Sequence, residues 1–486
     1  MESPRKKLRR VVGFESLPDE VVAHILSFMT FKEAVMKSGL GRRWRHQWLR
    51  CRSIDLDESL FTLGAKRRLL TADGRIFPPE DPKRTGRQLL IKFAGDFAAR
   101  YAESRMESFR LVFSFPEEYP SEVWKWILAA TSRKVASLDL DFSDPETDWV
   151  FDFGNGKFNL PAEIFELHQS LTSLSLSACE VLPHRFLGLH ALRRLSLSRI
   201  FVRKRTFHTL LANLPLLEEL YLKHLDIAEV YVAGCSRGLR KLTVDNCLPL
   251  DIGIRLVHAP ALESFHYCGA VVPFEIEQIP RIVDVDVSFT EDDFMDGGDP
   301  LRDLLQNIYN AETLTVCGYL PQVIPRVHDP GRLPTVGEYN HRQLIINGVA
   351  FHREEIPGIA LLLRSYTLLE TLTIRLSADK KRLDGYEFPL RKAIGGSAFW
   401  DKELEIPFPC MEDNLRYVKL EGFTGQMNQV EFVEFLLTTA RSLRELIICV
   451  SREPSKFGHT MERRWNIVHS LLYCPRASDR IRIDIE

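Results

Sequence analysis

The residues that could carry out covalent chemistry lack the spacing such chemistry requires. A phosphate loop needs glycines closed by Gly-Lys-Ser/Thr, so that backbone amides and a lysine converge on the anion. The nearest fragments, Gly154-Asn155-Gly156-Lys157 and Gly395-Gly396-Ser397, lack those flanks and read as turns. No Gly-x-Ser-x-Gly elbow and no His-Glu-x-x-His pair is present, so neither an activated serine nor a helical zinc site is expected. His352 with Glu354 and Glu355, and the acidic run Glu291, Asp292, Asp293, Asp296 and Asp299, match neither zinc spacing nor the twelve-residue calcium loop. The nine cysteines include no Cys-x-x-Cys pair and are odd in number, which reads as reduced thiols in the nucleus and/or cytoplasm. The expectation is therefore no catalytic residue, no metal and no cofactor. What remains is binding.

The charge balance, 64 Lys+Arg against 66 Asp+Glu in 486 residues, provides no whole-molecule field to recruit nucleic acid or an anionic membrane. A partner must be held by local side chains. No apolar run reaches the roughly 18 to 20 residues of a membrane span, and nothing in the sequence points to a homo-oligomer. The basic run Lys6 to Arg10 fits either a nuclear import signal or a solvated end. Arg199, Arg203, Lys204 and Arg205 form a basic string that reads as solvent-facing.

The elements that would position binding residues repeat. The pattern apolar-x-x-apolar-x-apolar starts at Leu171, Leu192, Leu217 and Leu239, a spacing of 21, 25 and 22 residues. Looser copies begin at Met106, Val135, Leu262, Ile282, Ala311, Leu369, Leu415 and Leu443, with a degenerate strand over Gln343 to Val349. A period of 20 to 29 residues is that of leucine-rich repeats, each unit supplying one short parallel strand and a return segment. Leu174 and Leu176 then point into a core while Ser173, Ser175 and Ser177 face outward. Cys179 and Cys247, at the ninth position of their repeats, read as buried turn residues. Val202 to Asn213, with Phe207, Leu210 and Leu211 on one face, reads as a helical return.

Alternation assigns the outward, recognition-surface residues: Glu219, Tyr221 and Lys223; Lys241, Thr243 and Asp245; Ser264 and His266; Asp284 and Asp286; Thr371, Thr373 and Arg375; then Lys419 and Glu421. Their mixed charge, with an aromatic and an imidazole, points to a protein or peptide target. Trp126 reads as core and Trp124 as an outward candidate.

The fold class expected is α/β: an N-terminal three-helix module, then a curved leucine-rich-repeat solenoid with a parallel sheet on its concave face. The organisation expected is a basic tail over 1–12, the helical module over 13–57, a linker with a mobile loop over 58–105, repeats over 106–402, and a C-terminal region over 403–486 that continues them. In the module Ser16 can cap a helix with the stripe Leu17, Val21, Ile25 and Phe28, and a second helix follows Thr30.

Leu17-Pro18-Asp19-Glu20, Ile25-Leu26-Ser27-Phe28, Lys32-Glu33-Ala34 and Arg42-Arg43-Trp44-Arg45 followed by Trp48 fall at the spacing of an F-box, which this segment resembles. The remainder resembles plant F-box proteins with leucine-rich repeats and a C-terminal FBD-like region. Three passages carry that: Glu122 to Ile127 leading into Leu138-Asp139-Leu140, Leu160 to Phe165 before Leu171, and Asn414 to Gly425 with Glu431 to Leu437. The resemblance implies a non-catalytic substrate-recognition subunit of an SCF-type ubiquitin ligase. It would dock on a Skp1-like adaptor, and through it a cullin, by Leu17, Pro18, Val22, Ile25, Leu26 and Phe28, with Trp44 and Trp48 internal. Gly39 and Gly41 depart from the family's usual Val and Ser, and each glycine costs about 1 kcal/mol if helical. The alternative is a repeat scaffold or receptor without a ubiquitin role, whose N-terminal helices cap the repeats. A small-ligand sensor would need a basic cluster beneath the sheet.

Overall fold

The structure is a computed structural model. It describes residues 17–18, 21–22, 24–25, 28–37, 48–49, 51–68, 81–101, 105–144, 158–167, 169–202, 204–232, 237–277, 279–290, 298–325, 339–377, 399–400, 406–453 and 460–486. Two compact units, Met1–Val202 and Arg203–Glu486, are taken in turn.

In the first unit five strands pair in parallel and in chain order: β1 (Ser53–Asp57), β2 (Ser108–Val112), β3 (Ser137–Asp141), β4 (Ser173–Ser177) and β5 (Arg194–Ser198). Each contributes two inward apolar residues, from Ile54 and Leu56 to Leu195 and Leu197, all essentially inaccessible. The outward positions, set by the period of two, are polar except for Val112. Ser177 departs from its expected outward exposure and is buried.

The expected linker over 58–105 is a correction: its described parts are the helices Glu58–Arg68 and Pro82–Arg100. The second begins where Asp81 accepts the amides of Lys83 and Arg84 and Pro82 occupies the first turn, a well-made N-terminus. Residues 69–80 of the expected mobile loop lie outside the described residues. Helix Pro82–Arg100 is a packing surface. Trp48 stacks on Phe93 and Phe97 with ring centroids 5.3 and 5.8 Å away, and Phe31 meets Trp48 and Phe97 edge-on. Phe31 opens the short helix Phe31–Lys37, whose start is a reciprocal cap between Thr30 and Glu33.

A buried polar staple locks the same region. Glu58 accepts from Arg87 Nε (3.1 Å), from the Ser114 amide (2.8 Å) and from Ser114 Oγ (2.9 Å), with both charged residues under a tenth exposed.

The second unit carries ten parallel strands: β6 (Glu219–Lys223), β8 (Lys241–Asp245), β10 (Ser264–Gly269), β12 (Asp284–Phe289), β13 (Thr313–Cys317), β14 (Gln343–Val349), β15 (Thr371–Leu376), β16 (Tyr417–Phe423), β17 (Glu445–Val450) and β18 (Arg482–Ile485), paired in that order. The returns after β6, β8 and β10 are strands where helical returns are expected of the repeats. Strands β7 (Asp226–Val232), β9 (Leu248–Val257) and β11 (Phe274–Glu277) form a separate parallel sheet. Later returns are helices, among them Gly298–Asn307, Ile356–Ser365, Met427–Thr439 and Met461–Leu471. The helix Lys204–Ala212 buries Phe207, Leu210 and Leu211 as expected.

The turn out of the strand explains the ninth-position residues. His224 and Asn246 adopt left-handed φ of 49° and 48° and donate their amides to the carbonyls of Asp245 and Cys268 at the end of the neighbouring strand. Such a φ costs a non-glycine residue about 1–2 kcal/mol. The reversal drives Leu225 and Cys247 into the core. Ala178 repeats the geometry ahead of Cys179, and burial pushes the Cys247 thiol up to about 12, so it stays protonated.

Candidate functional site

The outward face of β6, β8, β10 and β12 gathers ten of the fifteen residues expected on the recognition surface, the charged and aromatic ones being Glu219, Tyr221, Lys223, Lys241, Asp245, His266, Asp284 and Asp286. Parallel register sets Lys223 opposite Asp245, Ser264 opposite Asp284, and His266 opposite Asp286. Neighbouring strands lie about 4.8 Å apart, so opposite charges in register meet. Lys223 Nζ is 3.2 Å from Asp245, His266 Nδ1 is 3.2 Å from Asp286, and Ser264 Oγ donates to Asp284 at 3.1 Å.

Four carboxylates face two lysines and one histidine, so the patch is acidic while His266 is neutral. The bond to Asp286 raises the His266 pKa from its ordinary 6.5, so the imidazole takes up its proton more readily than a free one. Burial raises the Tyr221 pKa, so its hydroxyl remains a neutral donor. Asp286 Oδ1 is buried and has no hydrogen-bond partner among the described residues.

Arg375 stands apart on β15, three strands beyond β12. It belongs to a second group with Glu421 (2.9 Å) and Asn347 (3.0 Å), while Lys419 pairs with Glu421 at 2.7 Å. Asn347 was not among the expected residues, although alternation along β14 reaches it. A third group lies in the first unit, where Arg110 meets Asp55 (3.0 Å), Asp139 (3.3 Å) and Asp57 (3.6 Å) on β1 to β3. The short Ser-Ile-Asp-Leu-Asp of β1 gave no leucine phase to reveal it.

The residues expected to meet an adaptor divide by exposure. Phe28 is 78% exposed, Pro18 is exposed, Leu17 and Ile25 are half-buried, and Val22 is fully buried. Val22 is thus packed inside and has no accessible surface to offer a partner here. Leu26, Trp44, Gly39 and Gly41 lie outside the described residues. Trp48 is buried, against the Pro82–Arg100 helix.

The side chains considered for metal chemistry do other work. Glu355, wholly buried, accepts from the amides of Ala350 (3.1 Å) and His352 (2.8 Å) and from Gln322, closing the loop after β14. Among the described residues no group of three or more His, Cys, Asp or Glu is placed to hold a metal ion. No described helix is long and apolar enough to cross a membrane. Trp126 is core, while Trp124, 42% exposed, donates its indole N–H to the Asn159 carbonyl.

Parallel strands in chain order, inward leucines and outward polar residues define a leucine-rich-repeat protein. The family described as FBD-associated F-box protein At5g56370, LRR repeats, matches residues 123–283, and the FBD family matches residues 403–448. Among Arabidopsis thaliana proteins, the one named as F-box protein At3g29830 is 29% identical over 96% of each chain. F-box/FBD/LRR-repeat protein At1g13570 is 25% identical, again over 96% of each. The resemblance read from the sequence is borne out: the chain carries leucine-rich repeats and an FBD, and is related to F-box/LRR-repeat proteins over nearly its whole length.

Proposed function

We propose that the chain is a non-catalytic substrate-recognition subunit of an SCF-type E3 ubiquitin ligase, working in the nucleus and/or cytoplasm. The F-box segment docks on a Skp1-like adaptor, and the outward face of the repeats holds a protein target. The observation that carries this is the joining of an F-box-like segment with an exposed Phe28 to repeats whose outward residues form an acidic, ion-paired patch. Such a subunit needs no reactive group. It raises the effective concentration of a target lysine near the charged conjugating enzyme.

A second reading has a specific support: Phe31 and Trp48 pack on helix Pro82–Arg100, as expected of a segment that merely caps the repeats. The two readings differ in what happens to the partners. Proximity labelling under proteasome block, with wild type and a Leu17→Asp/Ile25→Asp variant, separates them. The ligase reading expects captured proteins whose ubiquitination is lost in the variant. Unchanged ubiquitination of every captured protein sinks it.

A further inference from the structure

The residues just ahead of the strands of the second unit form a row of their own, because each donates its amide to its neighbour's carbonyl: Arg240 to Glu218, Glu263 to Arg240, Arg342 to Glu312, Glu370 to Arg342, Arg416 to Glu370, and Arg444 to Arg416. Opposite charges alternate along much of this row. Arg240 pairs with Glu263 at 3.9 Å, and Arg342 binds Glu370. The alternation fails at its end, where Arg416 and Arg444 stand side by side just ahead of β16 and β17. Adjacent like charges on paired strands are destabilising.

Two more arginines, Arg441 and Arg480, join them around an open cleft of about 390 Å³ whose lining also includes Asp413 and Asp479. That volume is within the range of ligand sites. None of the four guanidinium groups makes an ion pair or a side-chain hydrogen bond among the described residues, although two carboxylates share the cleft. Arginines that line one cleft without ion-pair partners are suited to a compact oxyanion, which a guanidinium binds with paired, parallel N–H donors.

We propose that this cleft docks a phosphorylated segment of a protein, its phosphate monoester held by Arg416 and Arg444 and flanked by Arg441 and Arg480. A phosphoserine carries about −1.5 to −2 charges at pH 7 and three strong acceptor oxygens, which offset the like-charge pair. Asp413 and Asp479 disfavour a nucleic acid, whose charge is continuous, and can accept amide donors of a peptide. The cleft is larger than one phosphate, leaving room for flanking backbone. The proposal goes beyond the receptor reading and stands without adaptor binding, since its residues lie between 413 and 480.

The test is fluorescence anisotropy of the full chain with a labelled Gly/Ser peptide carrying one phosphoserine, beside its unphosphorylated twin, with inorganic phosphate and a single-stranded oligonucleotide as competitors. The phosphopeptide should bind at least tenfold tighter than the twin, and Arg416→Gln/Arg444→Gln should remove at least tenfold of that affinity. Arg240→Gln/Arg342→Gln, which changes paired arginines of the same row, should leave it within twofold. Equal binding of the twin, an unaffected Arg416→Gln/Arg444→Gln variant, or a tighter hold on the oligonucleotide overturns the proposal. So does inorganic phosphate binding as tightly as the peptide, which would make this a site for free phosphate.

Discussion

Replacing Glu58 by alanine removes the acceptor of three donors at once: Arg87 Nε, the Ser114 amide and Ser114 Oγ. Arg87 is 6% exposed and lies over the Phe115 ring at 4.9 Å, so its charge has little access to water. Removing one partner of a buried pair costs about 3–5 kcal/mol. Glu118, 3.6 Å from Arg87 and half exposed, remains as a weaker partner and places the expected loss near the lower bound, about 3 kcal/mol. A double variant, Glu58→Leu with Arg87→Met, removes both charges and should recover the part of the loss due to the unpaired Arg87, because buried ion pairs are often replaceable by apolar groups, while the buried Ser114 amide stays without its acceptor. Hydrogen exchange of peptides covering 51–68 and 81–115, with urea unfolding, reads both effects. A Glu58→Ala variant within about 0.5 kcal/mol of wild type, the range of an ordinary surface change, would refute the reasoning that this staple holds helix Pro82–Arg100 to the strands.

Other outcomes follow from single groups. His341 is buried with Nδ1–H donating to the Ala311 carbonyl (2.6 Å), and burial lowers its pKa to about 4. The unfolded chain binds the extra proton below about 6.5, so stability should fall as pH drops from about 6.5 toward 4. His341→Phe should flatten that part of the curve in urea titrations; an unchanged slope contradicts the assignment. A Cβ at Gly358 would run into the carbonyl and Cα of Pro321, so Gly358→Ala should cost several kcal/mol, read as a lowered Tm; an unchanged Tm contradicts the close approach of helix Ile356–Ser365 to Pro321. Lys223→Glu/Lys241→Glu removes both lysines that a target's acceptors would meet and sets a carboxylate at position 223 against Asp245 in place of an ion pair, so it should weaken capture of a target severalfold; unchanged capture moves the site off β6 and β8.

Much of the repeat architecture was legible because leucine phase and strand period coincide: Leu174 and Leu176, or Leu220 and Leu222, mark both the core and the face opposite it. The face was therefore readable, but its pairing was not. That Lys223 meets Asp245 and His266 meets Asp286 depends on parallel register, which a single strand does not encode. The returns were the weakest part. Asp226–Val232 breaks strict alternation at Glu229 and Val230, both buried, so its strand was not readable from period alone and is set by tertiary pairing with β9. Helix Pro82–Arg100 had a readable signal in Leu90, Ala94 and Phe97, obscured by the turn-rich, charged stretch that precedes it. The four-arginine cleft was hidden because Arg416, Arg444 and Arg480 are far apart in sequence and meet only through strand order.

The central claim, that an F-box segment couples these repeats to a ubiquitin ligase, rests most directly on the affinity of the full chain for a Skp1-like adaptor, measured by calorimetry with wild type and Phe28→Asp. Because Phe28 is 78% exposed, the variant should fold with an unchanged Tm. The account predicts adaptor binding by wild type and at least tenfold weaker binding by Phe28→Asp, the loss of about 1.4 kcal/mol expected for one well-buried interface side chain. No binding by folded wild type, or equal binding by both, contradicts it.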